Sequence, residues 1–328
     1  MDFIKNDCVY SNYVPGQVDA VSLAIDRSGR RMLYSLSPGA DDLTMARRIV
    51  NETNMYRVTG DTWDRWADSI YSHFDSAQQM QPLIAAPNGR SVTRTPHQRG
   101  THRWPGLRHS RAETDPQPCS SRARVMLCTD SGCGGDSYGL PSWPDLDMLP
   151  LGWLGVEGDN SPPRRLCNLT EDEQQTLMSL WTIFRSPLMY GGDLQHPDAF
   201  SLALLTNPEA LAITDNSTNT DYVLSGPTLA IWRSDDAEWQ QSGVSYFSVH
   251  NIGEQRVDGL SLSTQQLRGK QPGTACTLRD VWARQDIQHG AHISITLRAH
   301  QSGLYSLHSC DAEAHIPKRY THSRPATA

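Results

Sequence analysis

The stretch "MYRVTGDTWDRW", residues 55–66, sets Arg57 four residues before Asp61, with Trp63, Asp64 and Trp66 close behind. Charged residues stand together elsewhere too: Lys5 and Asp7 in "DFIKND", Asp145 and Asp147 in "SWPDLDML". Carboxylates beside cations in a shared pocket can do general acid–base or nucleophilic work. Two of them suit glycoside hydrolysis. One attacks the anomeric carbon as an anion, and the other protonates the leaving oxygen and later activates water. A neighbouring lysine favours the ionised form of the first. Trp63 and Trp66 offer flat apolar surface for a sugar ring, although Trp66 suits packing of the following helix better. Each residue also has a purely structural reading. Asp61 could cap a helix N-terminus, Lys5 and Asp7 could form an ion pair, and Asp147 could shape a turn.

The elements around these residues alternate between strand and helix. "DFIKND" (2–7) reads as a buried strand with a polar end, and "RRMLYSLSPG" (30–39) reads the same way. Between them "VDAVSLAIDRSG" has helical spacing and stops at Gly29. "DDLTMARRIVNET" is a second helix with acidic residues in its first turn, "MYRVTGD" a third strand, and "TWDRWADSIYSHFDSAQQMQPLI" the next helix. "LDMLPLG" (146–152) is a fourth strand. "TEDEQQTLMSLWTIFRS" (170–186) is a helix whose Thr cap and following Glu form a capping-box pattern, and "PLMYGGD" a fifth strand. This order indicates parallel βα units, in a barrel or a doubly wound sheet. From about residue 213 short β-rich runs with Gly, Asp and Ser turns replace it, as in a small antiparallel β domain. The presumed strand ends carry Lys5 and Asp7, Ser35 and Ser37, Arg57 and Asp61, then Asp145 and Asp147. In βα barrels such ends converge on one pocket.

Composition narrows the possibilities. The chain has 328 residues, a net charge of −7 and 38% hydrophobic residues, with a mean hydropathy of −0.53. The acidic balance argues against a nucleic-acid partner, and no run approaches the ~18 apolar residues of a membrane span. "MDFIKND" has neither a basic nor an apolar leader region. Sequons begin at Asn51, Asn168 and Asn216 and matter only in a secretory compartment. The compartment and the oligomeric state stay open. Residues 91–133 fit neither texture: they hold three of the seven Cys and show almost no apolar periodicity. Cys119, Cys128 and Cys133 with His97 or His102 match no common zinc spacing. The segment reads as a disordered insertion, such as a translated intron.

Six ordered segments carry a family resemblance: "DFIKND", "YSLSPG", "YRVTGDTWDRW", "WPDLDMLPLG", "LTEDEQQTLMSLWTIFRSPLMYGGDL" and "LLTNPEALAI". In this order they resemble glycoside hydrolase family 27, the α-galactosidase or melibiase family. The likeness is dense over residues 1–90 and about 134–215. It implies part of a (β/α)8 barrel, strands four to eight, over residues 1–212, then an antiparallel β-sandwich domain over 213–315 and a tail at 316–328. It implies a retaining enzyme for α-galactosides or a related glycoside, with no metal or organic cofactor. Asp7 would be the nucleophile and Asp61 the acid/base, with Lys5, Ser37, Arg57 and Asp147 binding the sugar. Ser37 stands where typical members carry Glu at a position that reads the sugar's 2-substituent, which opens arabinopyranosides and N-acetylated sugars as substrates. A full-length relative would be secreted, lysosomal or vacuolar.

The chain also departs from the family. Neither the "GWNSW"-like first strand nor the "DDGW"-like aspartates are present, so residue 1 falls at the family's fourth strand. Five strands do not close an eight-stranded barrel. The resemblance therefore carries a second expectation, an inactive remnant or a non-catalytic carbohydrate-binding relative.

Overall fold

The computed structural model describes residues 2–7, 15–30, 32–38, 53–84, 143–155, 165–268 and 274–311. The insertion at 91–133 with its cysteines, most of the helix expected from residue 41, and the tail at 316–328 lie outside them. Four short strands form a parallel sheet in chain order: β1 (Phe3–Asn6), β2 (Leu33–Leu36), β3 (Met55–Arg57) and β4 (Trp143–Asp145). Parallel neighbours need a long crossover. Helix α1 (Pro15–Ser28) supplies the first, turning Val18, Val21 and Ile25 inward. It stops at Gly29, whose φ of +64° lies in the left-handed region that glycine adopts without penalty. Helix α2 (Tyr71–Ile84) follows β3 and packs Phe74, Ala77 and Met80 on the core. It starts later than the sequence suggests, because a π-helical turn, Trp66–Ile70, leads into it.

Two strand expectations change. β1 alternates between exposed and half-buried positions, with Phe3 38% exposed. Among the described residues it pairs with β2 alone, so its other edge has no strand to cover it. The strand expected over 146–152 is broken. Asp147 takes a φ of +79°, and beyond it β5 (Met148–Leu149) leaves the first sheet to pair with β8 (Met189–Tyr190). Between β5 and β8 lie the small antiparallel pair β6 (Trp153–Leu154) and β7 (Arg165–Leu166) and helix α3 (Glu171–Phe184).

α3 is the central beam of the molecule. Thr170 caps it by accepting from the Glu173 N–H, while Glu173 accepts from the Thr170 N–H in return. Every residue from Thr176 to Phe184 is buried, as expected of a helix covered on several sides. Helices α4 (Ala199–Leu205) and α5 (Pro208–Asn216) lead on to β9 (Ser217–Ser225). With β10 (Leu229–Asp236), β11 (Ser245–Asn251), β13 (Cys276–Asp280), β14 (Gln285–Gly290) and β16 (Ser302–His308) it forms a six-stranded sheet. β12 (Val257–Ser263) and β15 (His292–Leu297) pair separately, and their Leu262, Ile293, Ile295 and Leu297 join Phe247, Val249, Leu278 and Leu307 in a second core. A Cys276–Cys310 disulfide ties β13 to the end of β16.

The antiparallel sheet is bonded to α3 along a polar seam. Thr176 Oγ1 donates to the His300 carbonyl at 2.7 Å, Gln175 Nε2 to that of Ser302 at 3.0 Å, and Trp282 Nε1 to Ser179 Oγ at 3.0 Å. Arg298 clasps Asp172 with two bonds of 2.8 and 2.7 Å. His250 from β11 lies edge-on to Phe74 of α2, fully buried, with its Nδ1 lacking a partner. Burial pushes its imidazole down to about 3.

Two measurements test this packing. Thr170→Ala removes the cap and should cost about 1 kcal/mol of stability, read from the urea midpoint at unchanged slope. His250 is neutral in the fold and protonates once unfolded, so its share of stability is complete above its ordinary value and lost as pH falls towards about 3. That share changes by about 1.4 kcal/mol per pH unit. His250→Gln should flatten the stability curve below pH about 6.5, and an equally steep curve would refute the assignment.

Candidate active site

Pairing in the parallel sheet decides which side chains share a layer. Lys5 lies opposite Ser35, Ser35 opposite Met55, and Met55 opposite Trp143. Two residues on, Arg57 lies opposite Asp145, and one step past the paired residues of β2 and β3 brings Ser37 beside Arg57. Because side chains alternate along a strand, Lys5, Ser35, Ser37, Arg57 and Asp145 project from one face near the C-terminal strand ends.

Arg57 is the centre of this face. Its side chain is 5% exposed, and its Nη1 lies 2.7 Å from Asp61 Oδ1 and 3.6 Å from Asp147 Oδ2. The four-residue spacing thus belongs to a strand end and the loop after it. Asp61 caps no helix. The π-helical turn begins after Arg65, which provides no side-chain cap, and the Asp61 carbonyl instead accepts from Ser69 Oγ at 3.1 Å. Asp147 is held from three sides. Its carboxylate accepts from the Thr62 N–H at 2.8 Å, its carbonyl accepts from Trp181 Nε1 at 3.0 Å, and its own N–H donates to Asp145 Oδ1 at 2.8 Å. At the β1 edge of the same face Lys5 and Asp7 form an ion pair at 3.3 Å, both partly exposed.

The structure therefore brings Arg57, Asp61 and Asp147 into one contact group and Lys5 with Asp7 into another. Ser37 is fully buried at the end of β2, and its hydroxyl, like that of Ser35, has no hydrogen-bond partner. Trp66 stacks on His300 at 4.2 Å between ring centres, so it packs the start of α2 against the β sheet.

Several supporting residues went unread in the sequence. Asp64 receives two bonds from the Arg165 guanidinium and one from the Asn168 N–H, stapling the loop after β3 to the β7 segment. Burial raises its carboxyl, but these bonds outweigh that and leave it below the usual range. No local pattern announces a partner 101 residues away. His73 of α2 donates from Nδ1 to the Ser69 carbonyl and meets Thr62 Oγ1 through Nε2 at 2.6 Å. Burial pushes it down to about 4, which keeps it neutral behind the loop. Asp145, noted at the strand end but given no task, is 3% exposed. Burial first, and the Asp147 charge after it, push its carboxyl up to about 7, against the pull of the Asp147 N–H, Arg57 and Lys5.

A buried guanidinium flanked by carboxylates, with a second lysine–carboxylate pair on the same sheet, can bind hydroxyl groups and move protons. No protein-family profile matches the chain. Individual proteins do. An α-galactosidase from Lachancea cidri is 24% identical over 250 residues, 74% of this chain and 42% of that protein. A GH27 β-L-arabinopyranosidase from Geobacillus stearothermophilus, a variant of which is also solved in complex with arabinose, superposes with a TM-score of 0.70. It is 32% identical across 94% of this chain and 57% of its own. An α-galactosidase from Saccharomyces cerevisiae solved with raffinose shares the fold, with a TM-score of 0.63, 15% identity, and coverage of 94% and 72%. The chain spans about two-fifths of the length of the curated relatives it matches. Sequence similarity and fold together support assigning this chain to glycoside hydrolase family 27, the family of the arabinopyranosidase on which it superposes.

Proposed function

We propose that this chain carries catalytic carboxylates of a retaining glycosidase acting on terminal α-galactosides or a related glycoside. In this reading the parallel sheet and β5–β8 are strands four to eight of a (β/α)8 barrel, and residues 213–315 form an appended β domain. The observation that carries the reading is Arg57 held between Asp61 and Asp147 on the face that also presents Lys5 and Asp7. Asp7 attacks the anomeric carbon, the glycosidic C–O bond breaks, and Asp61 gives its proton to the leaving oxygen. In the second half Asp61 takes a proton from water, whose oxygen displaces Asp7 from the same carbon. Lys5, Arg57 and Asp147 hold sugar hydroxyls, and Ser37 lines the sugar's 2-position.

The relatives' sugars bear on the substrate. α-D-Galactopyranose and β-L-arabinopyranose present the same ring hydroxyls and differ by one hydroxymethyl group, so a single layout of Lys, Arg and Asp accepts both. A second reading, a non-catalytic carbohydrate-binding relative, has one observation in its favour. The Asp7 and Asp61 side chains are 51% and 60% exposed, whereas catalytic carboxylates profit from a closed, water-poor site.

A panel of nitrophenyl glycosides separates the two. The glycosidase reading expects turnover of α-D-galactoside or β-L-arabinopyranoside, with Asp61→Asn lowering kcat about 10²–10⁴-fold and Asp7→Asn abolishing the covalent intermediate. Sugar binding without turnover, unchanged in both variants, would establish the binding protein instead. Arg57→Met should raise KM and lower kcat together, because the guanidinium both binds sugar and orients Asp61. A change in KM alone would confine Arg57 to binding.

A further inference from the structure

Asp145 stands behind Asp61 and Asp147 and is 3% exposed. Its Oδ1 accepts the Asp147 N–H at 2.8 Å, which fixes the turn where Asp147 adopts a φ of +79°. On β3 its register partner is Arg57, which already contacts Asp61 and Asp147. Among the described residues the cations at this end of the sheet are Arg57 and Lys5, and Lys5 is engaged with Asp7. A further buried carboxylate anion that must share this guanidinium, without a cation of its own, would be expensive.

We propose that Asp145 is a positioning residue of the carbohydrate site, which works as a neutral acid: it anchors the Asp147 turn and leaves the Arg57 guanidinium to its contacts with Asp61 and Asp147. The inference rests on the glycosidase reading and adds to it the state of a group that touches no sugar.

The surroundings from each packed element agree. β1 presents Lys5, β3 presents Arg57, and Asp145's own strand end presents Asp147. From α2 comes His73, which senses Asp147 and Arg57 and is itself neutral. From α3 comes the uncharged Trp181, bonded to the Asp147 carbonyl. With its carboxyl at about 7, Asp145 holds its proton in acid and releases it as the medium turns alkaline. The released anion then competes for Arg57, and the hold on Asp61 loosens. The same sign governs stability. A carboxyl raised in the fold contributes stability that is complete below its unfolded value of 3.8 and lost as pH rises through about 7.

The test compares the full chain with Asp145→Asn and Asp145→Ala. Difference infrared spectra follow the protonated-carboxyl C=O band with pH, beside pH profiles of kcat and KM on the nitrophenyl glycoside. The parent should show such a band, bleaching through about pH 7, and Asp145→Asn should lack it. Asparagine still accepts the Asp147 N–H but cannot ionise, so the alkaline fall in kcat/KM should recede. The ratio of alkaline to acid rates should rise about tenfold, while Asp145→Ala, with no acceptor, loses about tenfold or more throughout. No bleaching band in the parent, an unshifted alkaline limb in Asp145→Asn, or equal losses in both variants would overturn the proposal. If no protein turns over any glycoside, the enzyme reading fails, and the band together with the pH dependence of arabinose binding decides this one. The parent spectrum needs no variant to fold.

Discussion

One buried cation organises the working end of this molecule. A guanidinium that is 5% exposed is tolerable only with anions beside it, since removing one partner of a buried pair leaves an uncompensated charge. Arg57 meets that constraint with Asp61 on the loop after its own strand and Asp147 on the loop after the next. The requirement therefore ties two successive strand ends together. The same two loops are joined by Thr62, whose N–H bonds the Asp147 carboxylate and whose hydroxyl reaches the Leu146 carbonyl at 3.0 Å.

Behind that junction α3 acts as a common wall. Its Trp181 holds the Asp147 carbonyl, its first turn carries the ion pair to Arg298 and a hydrogen bond with His300, and its body is bonded to β16. The β sheet is thus part of the support for the Arg57 group, though none of that group lies on it. Trp66 completes the link, stacking on His300 directly after the Asp61 loop. The largest core spans both parts, running from Val18 and Leu36 through Trp181 to Trp232 of β10.

Protonation follows burial in a consistent way. His73 and His250 are buried without a carboxylate bonded to the ring and stay neutral, whereas Asp64 is buried with an arginine and stays ionised. Asp145 has Arg57 only as a shared neighbour, and burial dominates. Asp64 and Asp145 are the same residue type, and their surroundings shift their carboxyls in opposite directions.

What local patterns determine was legible in the chain. The Thr170–Glu173 capping box, the Gly29 stop, the βα alternation and the change to antiparallel strands depend on neighbours a few residues apart, and the structure contains each of them. The pairing of Arg57 with Asp61 was likewise visible, because four residues at a strand end keep both groups together. The break at Asp147 was not, since its left-handed turn is set by Asp145, Thr62 and Trp181 acting together. Nor was the Asp64–Arg165 staple, which joins residues 101 positions apart. The exposure of β1 also escaped, because a hydrophobic pattern reports which face a strand prefers to bury and not what covers it. The order of residues by itself determined which acids and bases stand at the strand ends. Only the tertiary structure, by burying Asp145 beside Asp147 and a shared Arg57, decided that this one of them is pushed up towards neutrality.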